Sequence, residues 1–310
     1  MNTKEYVLNR LEENRDIFLS GEELGDKLGL SRGAVWKAVQ NLRDDGYIIE
    51  SFSRRGYRLS PKSDVLSEEG ILKLLKIEMR SLPDIRFYPE LTSTNREAER
   101  LLTEASEEDR EKLYGTVILT ESQTAGRGHG QSGFYSPKGG VYLSVILDPK
   151  SAECKPVSFL AALFTAEAIE AVTGKAARIL WKNSILQDEK KTAGILTQQS
   201  LDMETGIVSG LVLGIGIRTD AWRGQDGNRK NRLAALLISR LLKKTPSFSM
   251  QDYRERLSGE GETHRFISAD HLNGKPFSAL QEKMDEDGSL HVRLKNGNRM
   301  VLTRGSIIAD

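Results

Sequence analysis

The sequence predicts an α+β multidomain chain: an N-terminal winged helix-turn-helix over residues 1–60, a central mixed α/β domain over 61–262, and a small C-terminal β-barrel over 263–310. Three observations carry this reading. Apolar residues recur at helical spacing three times before residue 45; strand-like and helix-like runs then alternate; and the last segment is punctuated by Asn-Gly and Asp-Gly turns. At 310 residues the chain is also longer than one hydrophobic core usually serves.

In the first segment Val7, Leu8 and Leu11 share one helix face. Ser20 and Glu23 form an S-x-x-E capping box that opens a second helix running through Leu24 and Leu28. "GLS" makes a turn, and Ser31 caps a third helix with Ala34, Val35, Ala38, Val39 and Leu42 on its apolar face. "YIIESFSRRGYRL" alternates like two strands around a tight basic turn. "SPKSDVLSEE", Ser60 to Glu69, is polar, broken by Pro61, and reads as a linker. Beyond it "IRFYPE", "GTVILT", "GGVYLSVIL", "ARILW", "KTAGILTQ" and "GIVSGLVLGIGI" read as strands, with helices in "TSTNREAERLLTEA" and "VSFLAALFTAEAIEAV" and at about 231–244 and 249–258. The hairpin signals of the last segment are Asn273-Gly274, Asp287-Gly288 and Asn296-Gly297.

Composition bounds the function. Hydrophobic residues at 38% and charged residues at 29% fit an ordinary globular chain. A net charge of +1 gives no global argument for nucleic acid, so a basic surface has to be local. Cys154 is the only cysteine, which excludes an intrachain disulfide and a cysteine metal site. His129, His264, His271 and His291 lack H-x-x-x-H spacing, so no protein-built metal site is expected. No apolar run reaches membrane-spanning length and the N-terminus is too polar for a signal peptide, which points to the cytoplasm.

In a helix-turn-helix the second helix, here the third of the chain, enters the major groove with its solvent face. Opposite Val35 and Val39 that face offers Arg32, Lys37, Gln40, Asn41 and Arg43, a set suited to bases and phosphates, and the hairpin adds Arg54, Arg55 and Arg58. The competing reading is a merely solvated surface helix. Trp36 is ambiguous between packing, the commoner use of an aromatic there, and stacking on DNA, and is given no reading role.

"TAGRGHGQSGFYSPKGG", Thr124 to Gly140, is costly to order because glycine loses the most backbone freedom on folding. It is either a passive connector or a flap whose amides and guanidinium close on an anion. The order "TSTN", "QTAGRG…FYSP.GG.YLS", "W.N…KKTAGIL" and "GLVLGIGI" behind a helix-turn-helix resembles the biotin protein ligases, in particular the bifunctional biotin protein ligase/biotin operon repressor family, over nearly the whole chain. The resemblance implies a ligase-like central domain that makes biotinyl-adenylate from biotin and ATP with Mg²⁺, then passes biotin to a lysine of a carboxylase carrier domain. It further implies operator DNA and a homodimer formed on ligand or DNA binding, with no membrane partner. By motif position, Ser93, Thr94, Asn95, Gln123, Gly126, Arg127, Gly128, His129, Lys191 and Gly214 fall at the biotin site. Trp181, Asn183, Gly216 and Arg218 fall at the nucleotide site, with Lys191 and Arg127 as the catalytic cations. Bland readings remain beside these: Ser93 to Asn95 as a helix cap, and Lys191 as a solvated lysine.

Four positions depart from the family pattern. His129 stands for a second flap arginine, Lys182-Asn183-Ser184 loses an acidic residue, Arg218 replaces an asparagine, and Gly305-Ser306 replaces Gly-Glu. Losing the acid at Ser184 removes a partner for Mg²⁺, while Lys182 and Arg218 add positive charge near the nucleotide. Three functions therefore stay open: a ligase that is also a repressor, a ligand-sensing regulator that has lost adenylation, and a lipoate-ligase-like acyl transferase. The fused helix-turn-helix argues against the third.

Overall fold

The computed structural model describes residues 2–79, 81–128, 133–150, 157–201, 208–222, 227–243, 248–271 and 274–308. The chain divides into two compact units, Met1–Leu82 with Trp222–Ser239, and Pro83–Ala221 with Arg240–Asp310.

The first unit holds helices α1 (Thr3–Glu13), α2 (Gly21–Gly25) and α3 (Arg32–Asp44), followed by the antiparallel pair β1 (Ile49–Phe52) and β2 (Gly56–Leu59). Val7, Leu11, Leu24, Val35, Val39, Leu42 and Leu59 are fully buried in one cluster, as the helical periodicity expects. The Ser20–Glu23 capping box is present in both directions, at 3.1 and 2.7 Å, and Ser31 Oγ accepts from Ala34 N at 3.2 Å. Two expectations fail here. Leu28 is 50% exposed, because α2 stops at Gly25 and a 3₁₀ turn over Asp26–Leu28 carries the residue off the core face. Trp36 is 57% exposed rather than packed, because its helix position falls outside the stripe formed by Val35, Ala38, Val39 and Leu42.

Residues 60–67 do not form a free linker. Ser60, Ser63, Leu66 and Ser67 are buried, and Asn231, itself fully buried, accepts from Ser67 N and donates to Val65 O. Ser67 then caps α4 (Glu68–Glu78), a helix missing from the sequence reading although Ile71 and Leu75 sit one turn apart and are fully buried. Asn231 lies on the helix Arg229–Leu241 (α8 in chain order), most of which belongs to this unit.

The second unit is built on an eight-stranded mixed sheet. Its strands are β3 (Ile85–Tyr88), β4 (Val117–Thr120), β5 (Val141–Leu147), β6 (Arg178–Leu180), β7 (Ser184–Gln187), β8 (Lys190–Leu201), β9 (Val208–Ile217) and β10 (Leu257–Ser258). Their order is β10-β6-β7-β8-β9-β5-β4-β3, with β3–β4 and β10–β6 parallel and the other pairs antiparallel. Strand β7, which the sequence pattern does not predict, returns to β8 through Asp188 and Glu189, both at positive φ. Helix α5 (Thr94–Glu104) packs on β4, β5 and β9 through Ala98 and Leu102 and is followed by the short α6 (Glu107–Leu113). Helix α7 (Val157–Thr173), buried nearly all round, packs on β6, β7 and β8, and α9 (Met250–Glu255) rests on α7. A second, five-stranded antiparallel sheet closes the unit: β11 (Thr263–Ile267), β12 (Phe277–Met284), β13 (Leu290–Leu294), β14 (Arg299–Leu302) and β15 (Ser306–Ile307), in the order β14-β13-β12-β11-β15.

Candidate functional site

A cavity of about 520 Å³ opens in the second unit above β8 and β9. The start of α5 supplies Ser93, Thr94 and Asn95, the glycine-rich segment supplies Gln123, Arg127 and Gly128, and the strands supply Lys191, Gly214 and Gly216. Asn183 and Ser184 line it as well, and the five-stranded sheet contributes Ile267, Ser306 and Ile307 to the wall. Most residues singled out in the sequence therefore meet at one place.

A continuous polar network supports one side. Thr94 N donates to Gln123 Oε1 at 2.9 Å, and Gln123 Nε2 donates to Ser136 Oγ at 2.8 Å. Ser144 Oγ lies 2.7 Å from both Thr94 Oγ1 and Asn95 Oδ1, and Asn95 Nδ2 donates to Gln198 Oε1 at 2.6 Å. These groups are largely buried, so their satisfaction by one another fixes their rotamers. Ser93 occupies the N-cap position of α5 but makes no side-chain capping bond, so the capping reading does not hold for it. Ser136, Ser144 and Gln198 had no assigned role, although the first two lie inside the "FYSP" and "YLS" motifs.

The strand glycines line the cavity and also make room for side chains of this protein. A Cβ on Gly214 would lie 2.0 Å from Asn95 Oδ1. One on Gly216 would lie 2.4 Å from the Phe134 ring, and one on Gly194 would lie 2.9 Å from it. Phe134 is held there because the two arms of its loop pair: Phe134 N donates to Gly126 O at 2.8 Å, and Arg127 bridges to Gly133. Gly126 belongs to this hairpin base and not to the cavity wall. His129 lies outside the described residues.

Among the described residues, Arg127 and Lys191 are the two cations lining the cavity, and no Asp or Glu lines it. Arg127 Nη1 reaches Glu99 Oε2 on α5 at 3.3 Å. Burial, and secondarily the Arg218 guanidinium, hold the Lys191 ammonium below the ordinary lysine range. That half-buried placement rules out the solvated-lysine reading. Three further candidates sit elsewhere. Arg218 donates to the carbonyl of Lys191 and does not reach the cavity wall, because its long side chain folds back across β8. Lys182 lies over the rings of Phe159 and Trp181, 5.6 and 5.8 Å from their centroids, so neither added charge enters the cavity. Trp181 is fully buried, its indole N–H donating to Gly288 O at 3.0 Å, so it ties the two sheets together behind the site.

In the first unit the outward face of α3 presents Arg32, Trp36, Lys37 and Asn41, all exposed, with Gln40 half-buried. Arg54 and Arg55 are exposed at the hairpin turn, where Arg55 lies over the Phe18 ring. Arg43 and Arg58 are not part of that surface. Arg43 is spent on Ile49 O (2.7 Å) and Ser51 Oγ (2.5 Å), and Arg58 pairs with Glu50 and Asp16. Both arginines brace the hairpin instead.

Residues 3–58 match an HTH domain, and residues 89–217 match the biotin/lipoate A/B protein ligase family. The chain is 37% identical over 206 residues to the bifunctional ligase/repressor BirA of Bacillus subtilis (strain 168), covering 66% of this chain and 61% of that protein. It is 28% identical over 294 residues to the bifunctional ligase/repressor BirA of Escherichia coli (strain K12), covering 88% and 87%. A solved structure, the biotin protein ligase from Aquifex aeolicus in complex with biotin and ATP, has a similar fold, with a TM-score of 0.56 at 23% identity over 73% of this chain and 98% of that one.

Proposed function

We propose, from the match of residues 89–217 to the biotin/lipoate A/B protein ligase family behind an HTH domain, that this protein activates biotin with ATP, transfers it to a carrier lysine, and represses transcription from an operator. The observation that carries the enzymatic half is the cavity itself: two cations, Arg127 and Lys191, and no carboxylate among its described lining. Adenylation brings a carboxylate against an α-phosphate, and such a site must offset charge repulsion before the reaction begins.

In this reading Ser93, Thr94, Asn95 and Gln123 hold the polar ring of biotin, and Phe134 covers its apolar chain. Lys191 faces the biotin carboxylate and then the adenylate phosphate. The carboxylate oxygen attacks the α-phosphorus, pyrophosphate leaves, and Lys191 and Arg127 neutralise the oxygens as charge redistributes. Asn183, Gly216 and the wall at Ser306 flank the nucleotide. No Asp or Glu is among the described residues that line the cavity, so no protein ligand for Mg²⁺ is assigned. The glycine-rich segment screens the acyl-adenylate from water until a carrier amine attacks the acyl carbon and AMP leaves.

The first unit supplies the second function. The β1–β2 hairpin serves as a wing beside α3, the five-stranded C-terminal sheet is read as a small barrel, and two copies on a palindromic operator form the repressor. The setting is the cytoplasm, where ATP and the carrier are available.

Biotin-dependent exchange of pyrophosphate into ATP, measured beside calorimetric titration of biotin alone, tests this. Exchange is the expected result. Biotin binding without exchange would replace the ligase by a ligand-sensing regulator, and absence of both would overturn the biotin assignment.

A further inference from the structure

The three tryptophans divide sharply. Trp181 and Trp222 are 0% and 5% exposed, whereas Trp36 is 57% exposed. Leaving most of an indole in water forgoes a large burial gain, and such surfaces concentrate where another molecule docks. On α3 this ring sits one turn after Arg32 and one turn before Gln40, with Lys37 beside it and Asn41 in the next turn. The side chains of Arg32, Lys37 and Asn41 have no hydrogen bond or ion pair among the described residues, and the acids of the helix are confined to its far end at Asp44, next to Asp45, which pairs with Lys4. An apolar plate framed by unpaired cations and amides complements a polyanion that carries an apolar feature between its charges. In the major groove the thymine 5-methyl group is that feature.

We propose that Trp36 is a specificity-determining contact that covers a thymine methyl in the major groove, with Arg32 and Gln40 fixing its register one turn on either side. This rests on the DNA-reading assignment of α3 and adds to it the base that α3 prefers. Because more than half of Trp36 is exposed and it is not a member of the buried core cluster, its removal changes sequence choice more than stability.

The test is selection of duplexes from a random library by the full chain supplied with biotin and ATP, for wild type, Trp36→Ala, Trp36→Phe and Lys37→Ala. Wild type enriches a motif with a fixed thymine, Trp36→Phe retains that preference, and Trp36→Ala loses it at that position alone. Lys37→Ala weakens every sequence alike. Replacing the fixed thymine by uracil removes only the methyl, and it weakens wild type about fourfold while leaving Trp36→Ala unchanged. Trp36 is also the one solvent-accessible tryptophan, so acrylamide quenching of the wild-type emission falls when the motif duplex binds. If Trp36→Ala selects the same motif with equal affinity, or uracil affects both proteins equally, the contact is refuted although DNA reading stands. If wild type enriches no sequence and its quenching is unchanged by DNA, the DNA assignment itself fails and takes the contact with it.

Discussion

Oδ1 of Asn95 occupies the space that a Cβ on Gly214 would need, 2.0 Å away. The amide that links α5 to the sheet, accepting from the Ser144 side at 2.7 Å and donating to Gln198 at 2.6 Å, exists because this strand position carries no side chain. Gly214→Ala is therefore expected to cost about 1–3 kcal/mol of stability by overpacking. It should also lower biotin affinity by more than tenfold, roughly the effect of a displaced buried polar contact. Asn95→Ala in the same chain should recover stability but not affinity, and a double-mutant cycle by thermal melting and calorimetry reads both.

Lys191 titrates below the ordinary lysine value of 10.5, through burial first and Arg218 second. Below its folded pKa both native and unfolded chains hold the proton and the cost of the buried charge is complete. As pH rises past that pKa the native state sheds the proton first, so stability climbs until the unfolded lysine titrates as well. Anion binding runs the other way, since a carboxylate beside the ammonium favours the protonated form. Biotin affinity should be constant below the folded pKa and fall by up to about tenfold per pH unit above it. Lys191→Gln should bind weakly at every pH, and Arg218→Gln should move the fall to higher pH, both read by calorimetric titration.

Arg127 is held by Glu99 at 3.3 Å in a partly exposed pair, an arrangement worth no more than about 1 kcal/mol. Glu99→Gln should thus leave the melting temperature unchanged and, by removing a competitor for the guanidinium, tighten binding of the adenylate a few-fold. Arg127→Ala removes a charge-assisted hydrogen bond worth about 1.5–3 kcal/mol and should speed adenylate release accordingly, measured by trapping with hydroxylamine.

The basic residues of the first unit separate into two classes. Lys37→Ala and Arg55→Ala should weaken DNA binding across all sequences, each lowering the slope of log affinity against log salt by about one. Arg43→Ala should do something else. Its guanidinium closes on Ile49 O at 2.7 Å, so the variant should melt earlier, with loss of the hairpin's amide protection in hydrogen exchange. A normal melt with a purely electrostatic DNA defect would count against the bracing role.

Much of the fold was legible because it rests on local periodicity. The stripe of Val35, Ala38, Val39 and Leu42, the caps at Ser20 and Ser31, and the apolar runs that became β5, β8 and β9 are each decided within a few turns of chain. The site's membership was legible too, since "TSTN", "QTAGRG", "KKTAGIL" and "GLVLGIGI" supply residues that meet at the cavity. What the sequence by itself determined is most of the elements, though not α4 or β7, and most of the residues that meet at the cavity. Which way each long side chain turns was decided only by the tertiary structure: Arg218 onto the Lys191 carbonyl, Lys182 onto two rings, Arg43 onto the hairpin, Trp36 into water. The physical reason is that a flexible side chain reaches several partners at comparable energy, and only the packed neighbours from distant chain segments select one.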